Sequence, residues 1–279
     1  MIDPSLLAAD TQLYLRPIWF AESPVGLDGL TARMGGGLIW FQGYEITVRH
    51  GATIQRHRVS VPDFQEWCAH LVEPLARRAD QLARNISAIR PPMALKDRMI
   101  RFDVPQVMGI LNMTPDSFSD GGKHINDPKA AADAGFAMMT AGAAIVDVGG
   151  ESTRPRADKI WEGDEIQRVV PVIERLSASG VPVSIDTRKA GVMEAALGAG
   201  AAMVNDVSAL AHDPRALEVV AAAACPVVLM HSPSAGDDPH EGGDYRDVVL
   251  DVFDALEARI AACEAAGIAR EKIAVDPGL

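Results

Sequence analysis

Short, largely apolar runs recur along the chain after about residue 105, and each hands over to a polar residue able to do chemistry. Val107–Leu111 leads to Asn112, Ala143–Val146 to Asp147, Val183–Ile185 to Asp186, Ala201–Val204 to Asn205 and Asp206, Val227–Met230 to His231, and Ile273–Val275 to Asp276. Runs this short are those of strands buried on both faces, and the helical segments between them make a βαβα pattern with a parallel sheet. The pattern predicts strands at about 106–111, 144–148, 182–186, 202–206, 226–230 and 273–276. Helices are predicted near 128–141, 163–178, 189–199, 214–223 and 247–266. Gly142, Gly180, Gly200 and Gly267 fall just past four of these helices, where a left-handed residue stops a helix. In a barrel of such units the carboxyl ends of the strands form the active face. The polar residues that end the runs are therefore candidates for one mouth. Met99–Phe102, just before the first run, is expected to form a small hairpin at the barrel bottom.

A proline-bearing stretch, Ile89-Arg90-Pro91-Pro92, separates this region from an earlier one, so residues 1–95 are read as an N-terminal α+β extension and 96–279 as the barrel domain. In the extension, Leu38–Val48 and Arg56–Val61 read as strands. Asp63–Arg84 reads as a helix, with Phe64, Trp67, Leu71, Leu75 and Leu82 near one face and a break or kink expected at Pro74. Gly35-Gly36-Gly37 lacks the context of a phosphate loop and reads as a turn. Arg77, Arg78 and Arg84 read as a solvated helix face. Nothing in the extension points to a function.

Composition changes this picture little. A hydrophobic fraction of 48% and a charged fraction of 23% are those of an ordinary globule, and 279 residues suffice for one large domain and a smaller module. The net charge of −12 argues against nucleic acid or an anionic membrane as partner. Cys68, Cys225 and Cys263 have no metal spacing and read as reduced, packed side chains. No signal peptide or spanning segment is indicated, so a cytoplasmic protein is expected.

Two loops after the first two strands carry the densest chemistry. The first, Asn112-Met113-Thr114-Pro115-Asp116-Ser117-Phe118-Ser119-Asp120-Gly121-Gly122, offers oxygen donors suited to a hard cation such as Mg²⁺. The second, Asp147-Val148-Gly149-Gly150-Glu151-Ser152-Thr153-Arg154-Pro155, has backbone N–H groups, a hydroxyl and an arginine fit for a phosphate oxygen. With Ser184-Ile185-Asp186-Thr187, Val204-Asn205-Asp206, Leu229-Met230-His231 and Asp276-Pro277-Gly278 following in order, the chain from about residue 100 resembles the dihydropteroate synthase family.

The resemblance implies a pterin-binding (β/α)₈ TIM barrel, present here through its sixth strand, and a transferase of folate biosynthesis. Such an enzyme joins 6-hydroxymethyl-7,8-dihydropterin pyrophosphate to p-aminobenzoate, releases pyrophosphate, and is inhibited by sulfonamides. It implies Asp186, Asn205 and Asp276 as partners of the pterin edge and Met230 as packing on its face. Asn112 and Asp120 would serve Mg²⁺ and pyrophosphate, Thr153 and Arg154 the pyrophosphate side, and Phe118 and Pro155 the p-aminobenzoate pocket. It also implies a homodimer at full length. Asp147 is expected to anchor the second loop by hydrogen bonds, and Asp206 to do similar structural work. His231 reads equally well as a catalytic or a supporting residue, while His124 and His240 read as solvated.

Two departures from the family pattern bear on activity. Arg156 follows Pro155 where the family usually has glycine. The chain also ends at Leu279, before the family's later serine-arginine-lysine motif and arginine-x-histidine pair, so greatly reduced or absent synthase activity is expected of this chain. The alternatives are a pterin-binding methyltransferase acting on methyltetrahydrofolate and a non-catalytic pterin-binding fragment.

Overall fold

The computed structural model describes residues 2–114, 127–152, 160–234 and 242–278. The chain divides into two compact units, 1–91 and 92–279.

The first unit is a four-stranded antiparallel sheet with two helices. Strands β1 (Gln12–Ala21), β2 (Ala32–Arg33), β3 (Trp40–His50) and β4 (Thr53–Ser60) precede helices α1 (Val61–Cys68) and α2 (Glu73–Ser87). β3 is central, with β1 on one edge and β2 and β4 on the other. β1 escapes a sequence reading because Pro17 interrupts it, yet an edge strand tolerates a missing N–H. The single helix expected over Asp63–Arg84 is two: the break falls at residues 69–72, and Pro74 begins α2 instead of kinking a longer helix. A first-turn proline loses no intrahelical bond, which is why it starts helices well. Glu45 on β3 takes Arg16 from β1 and Arg58 from β4, at 2.8 and 3.0 Å. Burial works to raise the Glu45 pKa, but these hydrogen bonds hold its carboxyl below the usual range.

Gly43 on β3 lies beneath the ring of Trp19, and an added methyl would meet that ring and come within 2.5 Å of the Val59 carbonyl oxygen. Backbone cannot yield as a flexible side chain can, so Gly43→Ala is expected to destabilise this unit by about 2 kcal/mol. Trp19, Trp40 and Trp67 all belong to it, so a tryptophan-monitored thermal melt reads the loss directly. An unchanged melt would mean that the strand shifts freely.

The second unit opens with an antiparallel hairpin, β5 (Met93–Leu95) and β6 (Arg98–Ile100). The hairpin expected at Met99–Phe102 thus lies earlier, turning at Lys96-Asp97, because Met93, Leu95 and Ile100 are the residues that alternate into a core. Then come β7 (Met108–Asn112), α3 (Pro128–Thr140), β8 (Ile145–Gly149), α4 (Glu162–Ala178), β9 (Val183–Asp186), α5 (Ala190–Ala199), β10 (Met203–Asp206), α6 (Ala216–Ala223), β11 (Val227–Met230), α7 (Val248–Ala265) and β12 (Ile273–Asp276). The six strands β7 to β12 form one parallel sheet in chain order, as an incomplete barrel requires. Gly142, Gly180, Gly200 and Gly267 all take the left-handed conformation expected of helix stops.

Period two divides each strand between two environments. Val146, Val148, Val183, Ile185, Val204, Val227 and Leu229 face the helices and are fully buried with Val169, Val172, Ile173 and Leu176 of α4 and Met193 of α5. On the other face Met108, Ile145, Met203, Val228 and Ala274 pack against the β5–β6 hairpin, which closes the bottom. Further along the same face the strands reach Asn112, Asp147, Asp186, Asn205, Met230 and Asp276. No helix among the described residues is long and apolar enough to cross a membrane.

Candidate active site

The concave-face residues at the strand ends come together through register. Asn112 stands opposite Gly149, Gly149 opposite Asp186, and Asp186 opposite Asn205. A methyl on Gly149 would lie 3.3 Å from Asn112 Oδ1 and 3.4 Å from Asp186 Oδ2, so both oxygens converge over that glycine. One layer lower, Asp147 stands opposite Ser184. Asn205 Nδ2 donates to Asp147 Oδ2 at 2.9 Å, across the intervening strand β9.

This is an expensive cluster to bury. Desolvation pushes the Asp186 pKa well above the usual carboxylate range, the charges of Asp147, Asp206 and Glu165 push it further, and Arg188 opposes them. Burial also raises Asp147, against hydrogen-bonding help from Asn205 and Ser184. Asp186 Oδ1 and Asp147 Oδ1 are buried with no completed hydrogen bond among the described residues. Buried acceptors left without donors cost stability, and such sites await donors from a ligand.

Other candidates are placed differently. Asp206 follows Asn205 but has opposite parity, and its oxygens accept from Ser208 N, Ser208 Oγ and Leu210 N at 2.6–2.9 Å. It organises the turn after β10. Met230 stands opposite Asp276, whose side chain is exposed and accepts from Gly278 N at 2.8 Å, so Asp276 is not part of the buried group. His231 packs its ring at 5.8 Å from that of Tyr245. Phe118, Asp120, Thr153, Arg154, Pro155, Arg156, His124 and His240 lie outside the described residues.

The second loop is anchored by a residue that sequence reading passed over. Among the described residues the side chain of Asp147 is bonded by Asn205. Glu151 does the anchoring, in a buried ionic cluster. Lys189 Nζ donates to Glu151 Oε1 at 3.0 Å, to Glu165 Oε2 at 2.8 Å and to the Ile160 carbonyl at 2.8 Å. Thr187 Oγ1 donates to Glu165 Oε1 at 2.7 Å, and the Ile160 N–H donates to Glu151 Oε1 at 3.3 Å. Arg188 lies 3.5 Å from Glu151 Oε2. Residues 151 and 160, on either side of the loop, are thereby held by one lysine and two carboxylates. The signal was present in α4, where Glu165 lies on the same helical stripe as Val169, Val172 and Leu176 and is fully buried. A charge on an apolar stripe demands a buried partner.

For a metal, the described residues hold no group of three or more histidine, cysteine or acidic side chains suited to an ion. They do offer Asn112 Oδ1 at the strand ends, opposite Gly149 and on the same side as Asp186 Oδ2. That suits an ion carried mainly by a phosphate ligand and water, as Mg²⁺ is.

Comparison with known proteins bears on this geometry. The family model for pterin-binding enzymes matches residues 108–279. The dihydropteroate synthase of Mycobacterium leprae is 48% identical over 175 residues, which are 62% of this chain and 61% of that protein. The chain thus spans about three fifths of that curated relative's length. A solved structure of Xanthomonas albilineans dihydropteroate synthase with 4-aminobenzoic acid is 49% identical, with a TM-score of 0.61 over 68% of this chain and 67% of that one. Another from the same organism, in complex with 7,8-dihydropteroate, is 44% identical with a TM-score of 0.57, over 68% and 66% of the two chains.

Proposed function

The chain belongs to the pterin-binding enzyme family, and from that premise we propose that it carries the pterin half of a dihydropteroate synthase site. The reaction would join 6-hydroxymethyl-7,8-dihydropterin pyrophosphate to p-aminobenzoate. The observation that supports this reading most directly is Asp186 Oδ1, buried and without a hydrogen bond among the described residues, with Asn205 opposite it at the neighbouring strand end. An amino-pyrimidinone edge is a row of N–H donors and matches it. Charge-assisted bonds to a buried carboxylate contribute roughly 1.5–3 kcal/mol each.

Each residue then has a task. Asp186 and Asn205 hold the heterocycle by its edge, Met230 packs on its face, and Asp276 adds a carboxylate at the outer rim. Asn112, with Asp120, would hold Mg²⁺, which when bound neutralises charge gathering on the departing pyrophosphate. Thr153 and Arg154 are assigned to the pyrophosphate oxygens, and Phe118 and Pro155 to the arylamine. The bond from the pterin CH₂ to the pyrophosphate oxygen breaks, the arylamine nitrogen bonds the same carbon, and that nitrogen releases a proton. The electron-rich pterin stabilises positive charge on the carbon, so no side chain has to act as a nucleophile. Glu151 and Lys189 hold the second loop's stems so that its residues can exclude water from that carbon. Sulfonamides would compete with the arylamine.

The test is direct. Isothermal titration of the chain with 6-hydroxymethylpterin, with and without pyrophosphate and Mg²⁺, is expected to show binding strengthened by the pair together. A product assay with both substrates then reads dihydropteroate. Pterin binding unaffected by pyrophosphate with Mg²⁺ would favour the methyltransferase reading, and no pterin binding at all would end both.

A further inference from the structure

Asp147 is buried at the centre of the concave face, 4% exposed, and the reaction above gives it no task. Among the described residues its Oδ2 accepts a hydrogen bond from the amide of Asn205. A primary amide has two ends of nearly equal shape, an oxygen that accepts and an NH₂ that donates, and the hydrogen-bond network decides which way it points. An ionised carboxylate takes only the NH₂ end. Burial raises the pKa of both acids, Asp186 further than Asp147, and at Asp147 the Asn205 N–H opposes that shift.

We propose that Asp147 is a positioning residue: it holds the NH₂ end of Asn205, leaving the amide oxygen for the ligand beside Asp186. The concave face would then read a heterocycle through acceptors alone. It would accept an edge bearing an amino group and reject one bearing a carbonyl at the same place. Naming that heterocycle as a pterin rests on the function proposed above; the orientation of Asn205 does not. Specificity of this kind comes from refusing the wrong partner as much as from holding the right one.

The experiment compares the full chain with Asp147→Ala, Asp147→Leu and Asp147→Asn. Two readouts are used: hydrogen exchange of the ¹⁵N-labelled Asn205 side-chain amide, and titration with 6-hydroxymethylpterin and 6-hydroxymethyllumazine, which has a 2-oxo group in place of the 2-amino. In the unaltered chain the amide should exchange slowly and the pterin should be preferred. Asp147→Asn, whose amide can present either its oxygen or its NH₂ to Asn205, should fall between the parent and Asp147→Ala in both properties. Asp147→Ala should lose protection and reduce the preference about tenfold, the worth of one hydrogen-bond mismatch. Lumazine should bind this variant at least as tightly as it binds the parent, a gain that a damaged fold cannot produce. Asp147→Leu, which fills the same space without charge, serves if the alanine variant does not fold. An Asn205 amide as protected without Asp147 as with it overturns the proposal, and so does an equal loss of affinity for both heterocycles. If the unaltered chain binds neither, the pterin reading fails, and amide exchange alone decides the role of Asp147.

Discussion

Asp186→Asn is expected to weaken pterin binding roughly a hundredfold and, at the same time, to make the ligand-free protein more stable. The first effect follows from losing charge-assisted bonds of about 1.5–3 kcal/mol each. The second follows from the environment: desolvation, then Asp147, Asp206 and Glu165, all raise the Asp186 pKa. A carboxyl raised on folding binds its proton more tightly in the folded state. Its stabilising contribution is complete below the unfolded value near 3.8 and is lost as pH rises through the folded value. The difference in Tm between Asp186→Asn and the parent should therefore be small near pH 4 and grow toward pH 8. Thermal melts across that range and one titration at neutral pH give both results. A variant that is less stable than the parent at pH 8 would falsify the account of Asp186 as a strained, ligand-facing acid.

Lys189→Met is expected to do the reverse: a large loss of stability from removing a residue that need not touch any ligand. Lys189 is the cation between Glu151 and Glu165, whose side chains are 6% and 0% exposed. Without it two carboxylates stay buried together, and breaking a buried pair in this way costs about 3–5 kcal/mol. In a unit of this size that lowers Tm by roughly 10 °C. Removing both charges, as Lys189→Met with Glu165→Met, should recover more than half of the loss, because the uncompensated charge is the larger part of it. A single variant within about 1 kcal/mol of the parent would show that water reaches these carboxylates.

The parallel sheet was legible because its signal is local. Each strand is a short apolar run, each helix a longer periodic one, and glycine marks the joins, so the boundaries agree with the structure to within about two residues. The N-terminal sheet was less so: Pro17 hides β1 inside an otherwise good strand, and Pro74 reads as a break or kink within one helix, where the break falls just before it and the proline opens α2. Among site residues, Asn112, Asp186 and Asn205 could be grouped in advance because strand ends of one sheet meet at one mouth. The roles of Asp147 and Glu151 could not. Whether an acid at a strand end turns toward the loop or across the sheet depends on which side chain stands two strands away. Asn205 is that side chain for Asp147, while Glu151, in the loop after β8, is met by Lys189 from the loop after the neighbouring strand β9. Such pairings are set by the register of three strands together, which no single stretch of sequence displays.

Asn205 and Asp206 are neighbours in the chain with opposite parity, one facing the proposed ligand and the other holding the turn after β10. One residue inserted into β10 would exchange them. The carboxylate would be delivered to a face already crowded with acids, the amide to a turn that needs a carboxylate, and both errors would come from a change that adds no unsuitable side chain. In this strand the spacing of the two residues matters as much as their identity. A change in length is better tolerated in the loops, where the two partners of the heterocycle, its leaving group and its acceptor, are expected to be met.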